Sequence, residues 1–169
     1  MKRHPKTLLT ALLLTAAAGS TATLAAQGPV LAAASPDAKM YPGSMCQVSG
    51  SSQSLYYSSA VIANRTASSV SVVCPIVRDN LEQGWQRIHV FVNDRHSTRD
   101  IECIARALEA DGSHGASTSV QSSGTIPQML TLGPVAAPQH GPYVLVCQLP
   151  PMEEPNQPSY ISSYRVYEP

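Results

Sequence analysis

Large aromatic side chains are scarce in this chain, which has 1 Trp and 1 Phe beside 7 Tyr among 169 residues. Charged residues are also few, at 13% of the chain. A core with so little aromatic bulk must be filled mainly by Val, Ile, Leu and Tyr. Such a core gains from covalent cross-links, which restrict the unfolded chain.

Clustered basic residues are missing beyond the N-terminus. Lys2, Arg3 and Lys6 belong to the 11 Lys and Arg, whereas all 11 Asp and Glu follow from Asp37 onward. The chain after Lys6 therefore has 8 basic against 11 acidic residues, a net charge of about −3. Because proteins that bind nucleic acid displace phosphate counterions with clustered Lys and Arg, this charge argues against a nucleic-acid partner.

No apolar run is long enough to span a bilayer, which takes about 20 residues. The apolar stretch 8–18 follows a basic segment and precedes small residues, which is the pattern of a signal peptide. Residues 1–34 are predicted to be signal peptide and leader, cleaved somewhere between 18 and 34. The mature protein is then secreted or periplasmic and has no integral membrane segment.

Catalytic and metal-binding motifs are absent from the sequence as well. It contains no H-x-x-H, H-E-x-x-H or G-x-S-x-G pattern, so we assign no catalytic residue, no metal and no cofactor. Asp94 and His96 are interpreted as a turn rather than a catalytic pair. Asp94, Asp100 and Glu102 are interpreted as salt-bridging groups among arginines, with a pair of glycosidase carboxylates as one alternative. A calcium site built from Asp94, Asp100 and loop carbonyls is the other.

Four cysteines are present, an even number that predicts disulfides in an exported protein. No C-x-x-C pair occurs, so zinc is disfavoured. Four cysteines allow three pairings, and among these we favour Cys46–Cys74 with Cys103–Cys147. Each of these two disulfides would stabilise the fold by roughly 3–4 kcal/mol in the chain-entropy model, because it closes the loop between its cysteines in the unfolded chain.

Two-residue alternation dominates the rest of the chain and predicts an all-β fold. We expect one domain over residues 41–169, a single β-sandwich of jelly-roll-like topology with about seven or eight strands. The alternating segments are Leu55–Ala63, Val70–Val77, Trp85–Asn93, Ile101–Leu108, Ile126–Leu132, Tyr143–Leu149 and Tyr160–Tyr167. The first two segments are predicted to pair as a hairpin, and a helix is the alternative for the fourth. The Ser- and Gly-rich residues 111–125 are predicted to be a loop.

One stripe of side chains is the main candidate for binding. Alternation places Trp85, Arg87, His89 and Phe91 on one face of a strand, opposite Ile88, Val90 and Val92. Aromatic rings on a sheet face can stack on sugar rings, and Arg adds paired hydrogen bonds. Burial of both faces of this strand is the alternative. The pairs Tyr56/Tyr57 and Tyr160/Tyr164 are second-rank candidates.

Six short blocks stand out along the chain: Tyr41–Cys46, Val73–Asp79, Asp94–His96, the strand with Cys103, Tyr143–Pro150 and Ile161–Val166. Together they resemble a group of small uncharacterised exported proteins of proteobacteria and myxobacteria with a four-Cys β domain. The resemblance implies export and a compact β domain, and it implies no particular activity or cofactor. The closing strand is also similar, over a short stretch, to the last strand of jelly-roll carbohydrate-binding modules.

Export without a catalytic signature predicts a non-catalytic domain that binds carbohydrate or a cell-envelope component. A small secreted hydrolase, with its site assembled from residues distant in sequence, is one alternative. A structural or inhibitor protein that binds another protein is the other.

Overall fold

Alternating apolar and polar residues form the strands of two antiparallel sheets. The structure is a computed structural model, and it describes residues 37–50, 55–79, 83–136 and 141–169. The predicted signal peptide and leader lie outside the described residues. No helix within these ranges has the length and apolar character needed to cross a membrane. In chain order the strands are β1 (Asp37–Pro42), β2 (Gln47–Val48), β3 (Leu55–Tyr57), β4 (Ile62–Asn64), β5 (Val70–Ile76), β6 (Arg87–Asn93), β7 (Glu102–Leu108), β8 (His114–Gln121), β9 (Pro127–Leu132), β10 (Tyr143–Leu149) and β11 (Tyr160–Glu168).

The strand order is that of a jelly roll. One sheet, here the β11 sheet, has the order β3-β4-β11-β6-β9, and β1 also pairs with β11. The other, the β10 sheet, has the order β2-β5-β10-β7-β8. Strands β4 to β11 thus form two four-stranded layers, β4-β11-β6-β9 and β5-β10-β7-β8, with chain connections that pass between them. The predicted jelly-roll-like sandwich is confirmed, and the short strands β1, β2 and β3 extend its sheets.

The core lies between the two sheets and is mainly aliphatic. Along β6, Ile88, Val90 and Val92 are buried, as the alternation predicts. Trp85 and Tyr164 are the largest side chains among those that are fully enclosed. The Tyr164 hydroxyl on β11 donates a hydrogen bond of 2.6 Å to the Pro75 carbonyl on β5, so a polar contact also joins the sheets.

Both favoured disulfides are present. Cys46 precedes β2 and bonds to Cys74 on β5, with a Cα–Cα distance of 4.0 Å. Cys103 and Cys147 lie directly opposite each other on β7 and β10, with a Cα–Cα distance of 4.1 Å. Both bonds are fully buried and lie within the β10 sheet. Packing and hydrogen bonds therefore hold the β11 sheet against it.

The predicted loop over residues 111–125 is wrong, because most of it is strand β8. This strand pairs with β7 at the edge of the β10 sheet, and most of its side chains are exposed. Val120 packs against the core, and the rest of the strand consists of polar residues together with Gly115 and Ala116. An edge strand with both faces near solvent has no apolar alternation, which is the signal that sequence interpretation requires. The segment Ile101–Leu108 forms a strand, not a helix.

The predicted hairpin between the first two segments is also wrong. The segment from Leu55 folds on itself as β3 and β4, and the chain then crosses to the other sheet to form β5. Buried Asn64 supports this crossing, because its Nδ2 donates to the carbonyls of Ser68 and Pro150, each at 2.8 Å. Its Oδ1 accepts from the backbone N–H of Thr66 at 2.9 Å.

Candidate functional site

The outer face of the β11 sheet carries three of the four residues in the predicted stripe. Arg87 is exposed, and His89 and Phe91 are half-buried on β6. Cross-strand neighbours share a face, so Tyr167, Arg165 and Ser163 of β11 lie beside them, in that order. The structure therefore brings Arg87, His89 and Phe91 together on one outward surface.

Trp85 does not belong to that surface, and its predicted placement is wrong. The residue is 2% exposed, and its ring packs edge-on against Tyr143 of the other sheet at 4.4 Å. Its Nε1 donates a hydrogen bond of 2.9 Å to the Gly133 carbonyl. Strand β6 begins only at Arg87, and Trp85 forms an isolated bridge with Val135. The alternation therefore does not extend back to residue 85.

A groove of about 340 Å³ opens beside Phe91 on the same outer face. Its size falls within the usual range of ligand sites, about 300–1,000 Å³. Three neighbouring strands, β6, β9 and β11, supply its walls. The lining residues are Phe91, Val92, Asn93, Pro127, Gln128, Met129, Tyr160 and Ser162.

A β-bulge in β11 shapes this groove. The pairing with β6 shifts between Ile161 and Ser163, which leaves Ser162 as the extra residue. The Ser162 hydroxyl donates to the Phe91 carbonyl at 3.1 Å, which fixes the bulge against β6. Bulges commonly re-aim side chains next to functional sites, and here the bulge sets the position of Tyr160 opposite Asn93.

Asn93 contributes an unsatisfied polar group to the groove. Its side chain is 3% exposed, and its Nδ2 donates to the Tyr160 hydroxyl at 2.9 Å. Within the described residues, its Oδ1 has no hydrogen-bond partner. An unpaired buried acceptor costs about 1–3 kcal/mol, so a ligand hydroxyl that donates to it would regain that energy.

The aromatic surface continues beyond the groove. Tyr56 pairs through Ala63 with Tyr160, so these residues share the outer face. The ring of Tyr56 is 42% exposed, and the Arg65 guanidinium lies 3.8 Å from its centroid. Tyr56 and Tyr160 were second-rank candidates in the sequence, and the structure places both on this face. Tyr164 is instead fully buried.

A cationic cluster occupies the other end of the face. The guanidinium of Arg87 lies 4.4 Å from the ring centroid of Tyr167, and that of Arg165 lies 6.0 Å from it. Arg165 Nη1 donates to the Tyr167 hydroxyl at 3.3 Å, and the His89 ring meets the Tyr167 ring edge-on at 4.9 Å. Burial and the charges of Arg87 and Arg165 lower the pKa of His89 below its ordinary value. We call Arg87, His89, Arg165 and Tyr167 the arginine cluster.

Asp94 is a structural carboxylate. It is fully buried, and its Oδ1 accepts from the backbone N–H of His96 and the hydroxyl of Ser159, both at 3.0 Å. Its Oδ2 accepts from the N–H of Ile101 at 3.1 Å and the hydroxyl of Ser122 at 2.5 Å. Asp94 contacts the backbone of His96 rather than its ring, in agreement with the predicted turn. Its four protein donors leave little capacity for a calcium ion.

One group of carboxylates already holds a cation of the chain itself. Asp37, Asp79 and Glu168 bring carboxylate oxygens within 4.8 Å of one another. Lys39 Nζ lies at 2.8 Å from Asp79, 3.4 Å from Glu168 and 3.8 Å from Asp37. Burial lowers the pKa of Lys39, but the contacts with Asp79 and Glu168 outweigh it and raise that pKa overall. The group is therefore an ion-pair network that ties β1 to the end of β11.

A second groove, of about 430 Å³, lies on the outer face of the β10 sheet. Its walls are mostly aliphatic, with Val73, Pro75 and Val144 among them. The single aromatic residue in its lining, Tyr143, is covered by Trp85 and by the Arg78 guanidinium at 4.3 Å. This groove lacks the exposed rings of the first.

Three solved structures share part of this arrangement. A low-affinity xylan-binding module, CBM86, from the gut symbiont Roseburia intestinalis is 10% identical, with a TM-score of 0.48 over 79% of this chain and 96% of that one. A family two carbohydrate esterase from Cellvibrio japonicus is 11% identical, with a TM-score of 0.44 over 80% of this chain and 35% of that one. The carbohydrate-binding module CBM36, in complex with calcium and xylotriose, is 11% identical, with a TM-score of 0.42 over 76% and 98%. No protein-family model and no curated protein sequence matches the chain. Similarities this weak carry no argument about function.

Proposed function

We propose that this domain binds a polysaccharide without cleaving it, and that the groove beside Phe91 holds a sugar ring. The observation that carries the proposal is the combination of aromatic side chains with a buried, unpaired amide oxygen in one groove. Sugars need both, because a pyranose ring has an apolar face bordered by hydroxyl groups.

The apolar part of the groove comes from three side chains on three strands. Phe91 and Tyr160 are half-buried, and Met129 is 52% exposed, so all three keep surface that a ligand can cover. Covering apolar surface gains about 25 cal/mol per Å². The sheet holds these side chains at fixed spacing, which reduces the entropy lost on binding.

The polar part is supplied by Asn93 and Tyr160. Asn93 lines the groove, and within the described residues its buried Oδ1 accepts no hydrogen bond, so a sugar hydroxyl that displaces the cover of this oxygen gains an acceptor. The Tyr160 hydroxyl accepts from Asn93 Nδ2, which leaves its own hydrogen available to a ligand oxygen. One acceptor and one donor therefore lie side by side next to the apolar surface.

The composition of the groove favours binding over hydrolysis. Among its lining residues in the described part of the chain, none is Asp, Glu, His, Lys or Cys. Glycoside and ester hydrolysis both rely on a general acid or base within hydrogen-bond reach of the reacting bond. Within this described lining only the Tyr160 hydroxyl could exchange a proton, and no second acid or base stands beside it, which supports a non-catalytic role over the alternative of a small hydrolase.

The proposed place of action is the periplasm or the cell exterior. Two buried disulfides suit an oxidising compartment, because cytosolic thiols are kept reduced. The apolar run near the N-terminus of the sequence supports export. An envelope or extracellular polysaccharide is then the ligand within reach.

The test is co-sedimentation of the purified, disulfide-bonded protein with insoluble polysaccharides and peptidoglycan. Phe91→Ala and Asn93→Ala are the groove variants. Tyr57→Ala is the matched control, because Tyr57 is 46% exposed and does not line the groove. Binding that both groove variants lose and the control keeps is the expected result.

Absence of binding to every polysaccharide would overturn the proposal. Binding that survives Phe91→Ala and Asn93→Ala would move the site elsewhere on the protein. If no polysaccharide binds, the aliphatic groove at Pro75 becomes the region to test against protein partners.

A further inference from the structure

The face that holds the groove has a positively charged cluster at one end, although the chain after Lys6 has more acidic than basic residues. Phe91, His89 and Arg87 follow one another at two-residue steps on β6. Each step spans about 7 Å, so the arginine cluster begins next to the groove and continues for a few linked sugar rings. A ligand in the groove that extends along the strands therefore meets this cluster.

The arginine cluster gathers like charges, and no carboxylate in the described part of the chain balances them. Within the described residues, neither Arg87 nor Arg165 forms an ion pair. The strand register gives the neighbours on this face as Ala38 and Met40 of β1 and Thr131 of β9, none of which is acidic. Like charges held together are unfavourable, and an arriving anion relieves that repulsion.

The aromatic ring of Tyr167 organises the two guanidinium groups. Arg87 lies over the ring, and Arg165 donates to the hydroxyl of the same residue. Guanidinium groups held in place bind a carboxylate through two parallel hydrogen bonds with little further loss of entropy. His89 contacts the same ring and adds a third nitrogen group on this surface.

We infer that the polysaccharide bound by this domain is a carboxylated one, with a uronic acid residue on the arginine cluster and a neighbouring ring in the groove at Phe91. The inference rests on the proposed function and adds to it the chemical class of the ligand. A uronate polymer is favoured over a nucleic acid. The charged surface is one small cluster on a chain with an acidic excess, whereas nucleic-acid binding uses extended basic surfaces.

The experiment compares matched polymers that differ in charge alone. The purified, disulfide-bonded full chain is titrated with polygalacturonate, alginate and hyaluronan, and with the carboxyl-reduced, neutral form of each. We expect at least one carboxylated polymer to bind about tenfold or more tightly than its neutral form, because charge-assisted hydrogen bonds are worth about 1.5–3 kcal/mol. Added salt should weaken the binding of the charged form.

Variants separate the inference from the proposed function. Arg87→Gln combined with Arg165→Gln should remove the preference for the charged polymer and keep the weaker binding to the neutral one. Phe91→Ala should weaken both. Arg99→Gln is the control, since Arg99 is an exposed arginine of the turn before β7.

Each remaining outcome has a definite meaning. Equal binding of charged and neutral polymers, lost in Phe91→Ala, would overturn the inference and leave the proposed function standing. Binding of single-stranded DNA as tight as that of the polyuronates would show an unselective anion surface and overturn the inference. No binding to any of these polymers would overturn the inference, and the proposed function falls as well only if co-sedimentation with the insoluble polysaccharides and peptidoglycan also fails.

Discussion

The hydroxyl group of Tyr160 accepts a hydrogen bond of 2.9 Å from Asn93 Nδ2, between two of the three strands that line the groove. Asn93 belongs to β6 and Tyr160 to β11, and the two residues are directly paired in the sheet. This contact leaves Asn93 Oδ1 without a partner in the described part of the chain. This one hydrogen bond orients the amide and leaves its buried oxygen as the unpaired acceptor on which the proposed sugar contact depends.

Tyr160→Phe removes that hydrogen bond and keeps the ring. We expect a loss of about 1 kcal/mol in the free energy of unfolding, because Asn93 Nδ2 loses its acceptor. Polysaccharide affinity should fall about fivefold to tenfold, since the amide is no longer held and a donor to the ligand is lost. Urea denaturation and affinity electrophoresis measure the two effects. Unchanged affinity would contradict the role of this pair, and Tyr57→Phe is the control.

Trp85→Ala should destabilise the protein rather than act on binding alone. Removal of a fully buried Trp costs about 3–5 kcal/mol, and here it also removes the ring against Tyr143 and the hydrogen bond to Gly133. Denaturation followed by far-UV circular dichroism measures the loss. Phe91→Ala, a half-buried ring on the outer face, should cost much less. Equal stability of the two variants would contradict the placement of Trp85 in the core.

The fold could be predicted from the sequence in those strands whose two faces differ from each other in polarity. The alternation along β6 correctly assigns Ile88, Val90 and Val92 to the core, because one face of this strand packs on the other sheet. The even number of cysteines in an exported chain predicts disulfides for a chemical reason. The same alternation misplaces Trp85, since the sequence does not show that the strand begins two residues later.

The groove could be predicted only in part. Phe91 stands in a recognisable stripe, but Met129 and Tyr160 come from strands far along the chain. The bulge at Ser162 decides that Tyr160 faces Asn93, and no local sequence pattern marks that shift. Likewise, the arginine cluster depends on Arg165 lying opposite His89, which is a matter of strand register.

Asp94→Asn tests the structural role of the buried carboxylate. The amide that replaces the carboxylate must point its N–H donors at the backbone N–H of either His96 or Ile101. That contact places two donors against each other, because a backbone N–H in the fold cannot rotate away. We expect the free energy of unfolding to fall by roughly 2–3 kcal/mol. Polysaccharide binding by the protein that remains folded should be unchanged. Asp100→Asn, at an exposed position of the same turn, is the control. A stability equal to that of the control would contradict this role.

We expect the free energy of unfolding to depend on pH through His89 in the arginine cluster. Burial and the charges of Arg87 and Arg165 hold the pKa of His89 below its ordinary value of 6.5. The unfolded chain therefore takes up a proton at this residue before the folded protein does. His89 does not affect the free energy of unfolding at pH values well above 6.5, where it is neutral in both states. That free energy decreases as the pH falls through 6.5 and then through the lowered pKa of the folded protein. Hydrogen bonds from Ser113 lower the pKa of Asp111 below its ordinary 3.8, and those from Ser97 lower the pKa of Glu153 below its ordinary 4.5. The stability that these two carboxylates contribute is lost as the pH falls below those ordinary values.

His89→Gln should reduce the decrease in the free energy of unfolding between pH 7.5 and 5.5. Gln does not titrate, whereas His89 takes up a proton more readily in the unfolded chain than in the folded protein. A bound uronate should act in the opposite direction, since its negative charge near Arg87 and Arg165 favours protonated His89. Affinity of the wild-type protein for the polyuronate should then rise as the pH falls over this interval, and His89→Gln should flatten that rise. Denaturation and binding isotherms at pH 7.5, 6.5 and 5.5 measure both slopes. His114→Gln, on the exposed strand β8, is the control. Slopes in His89→Gln equal to those of the control would contradict a titrating role for His89.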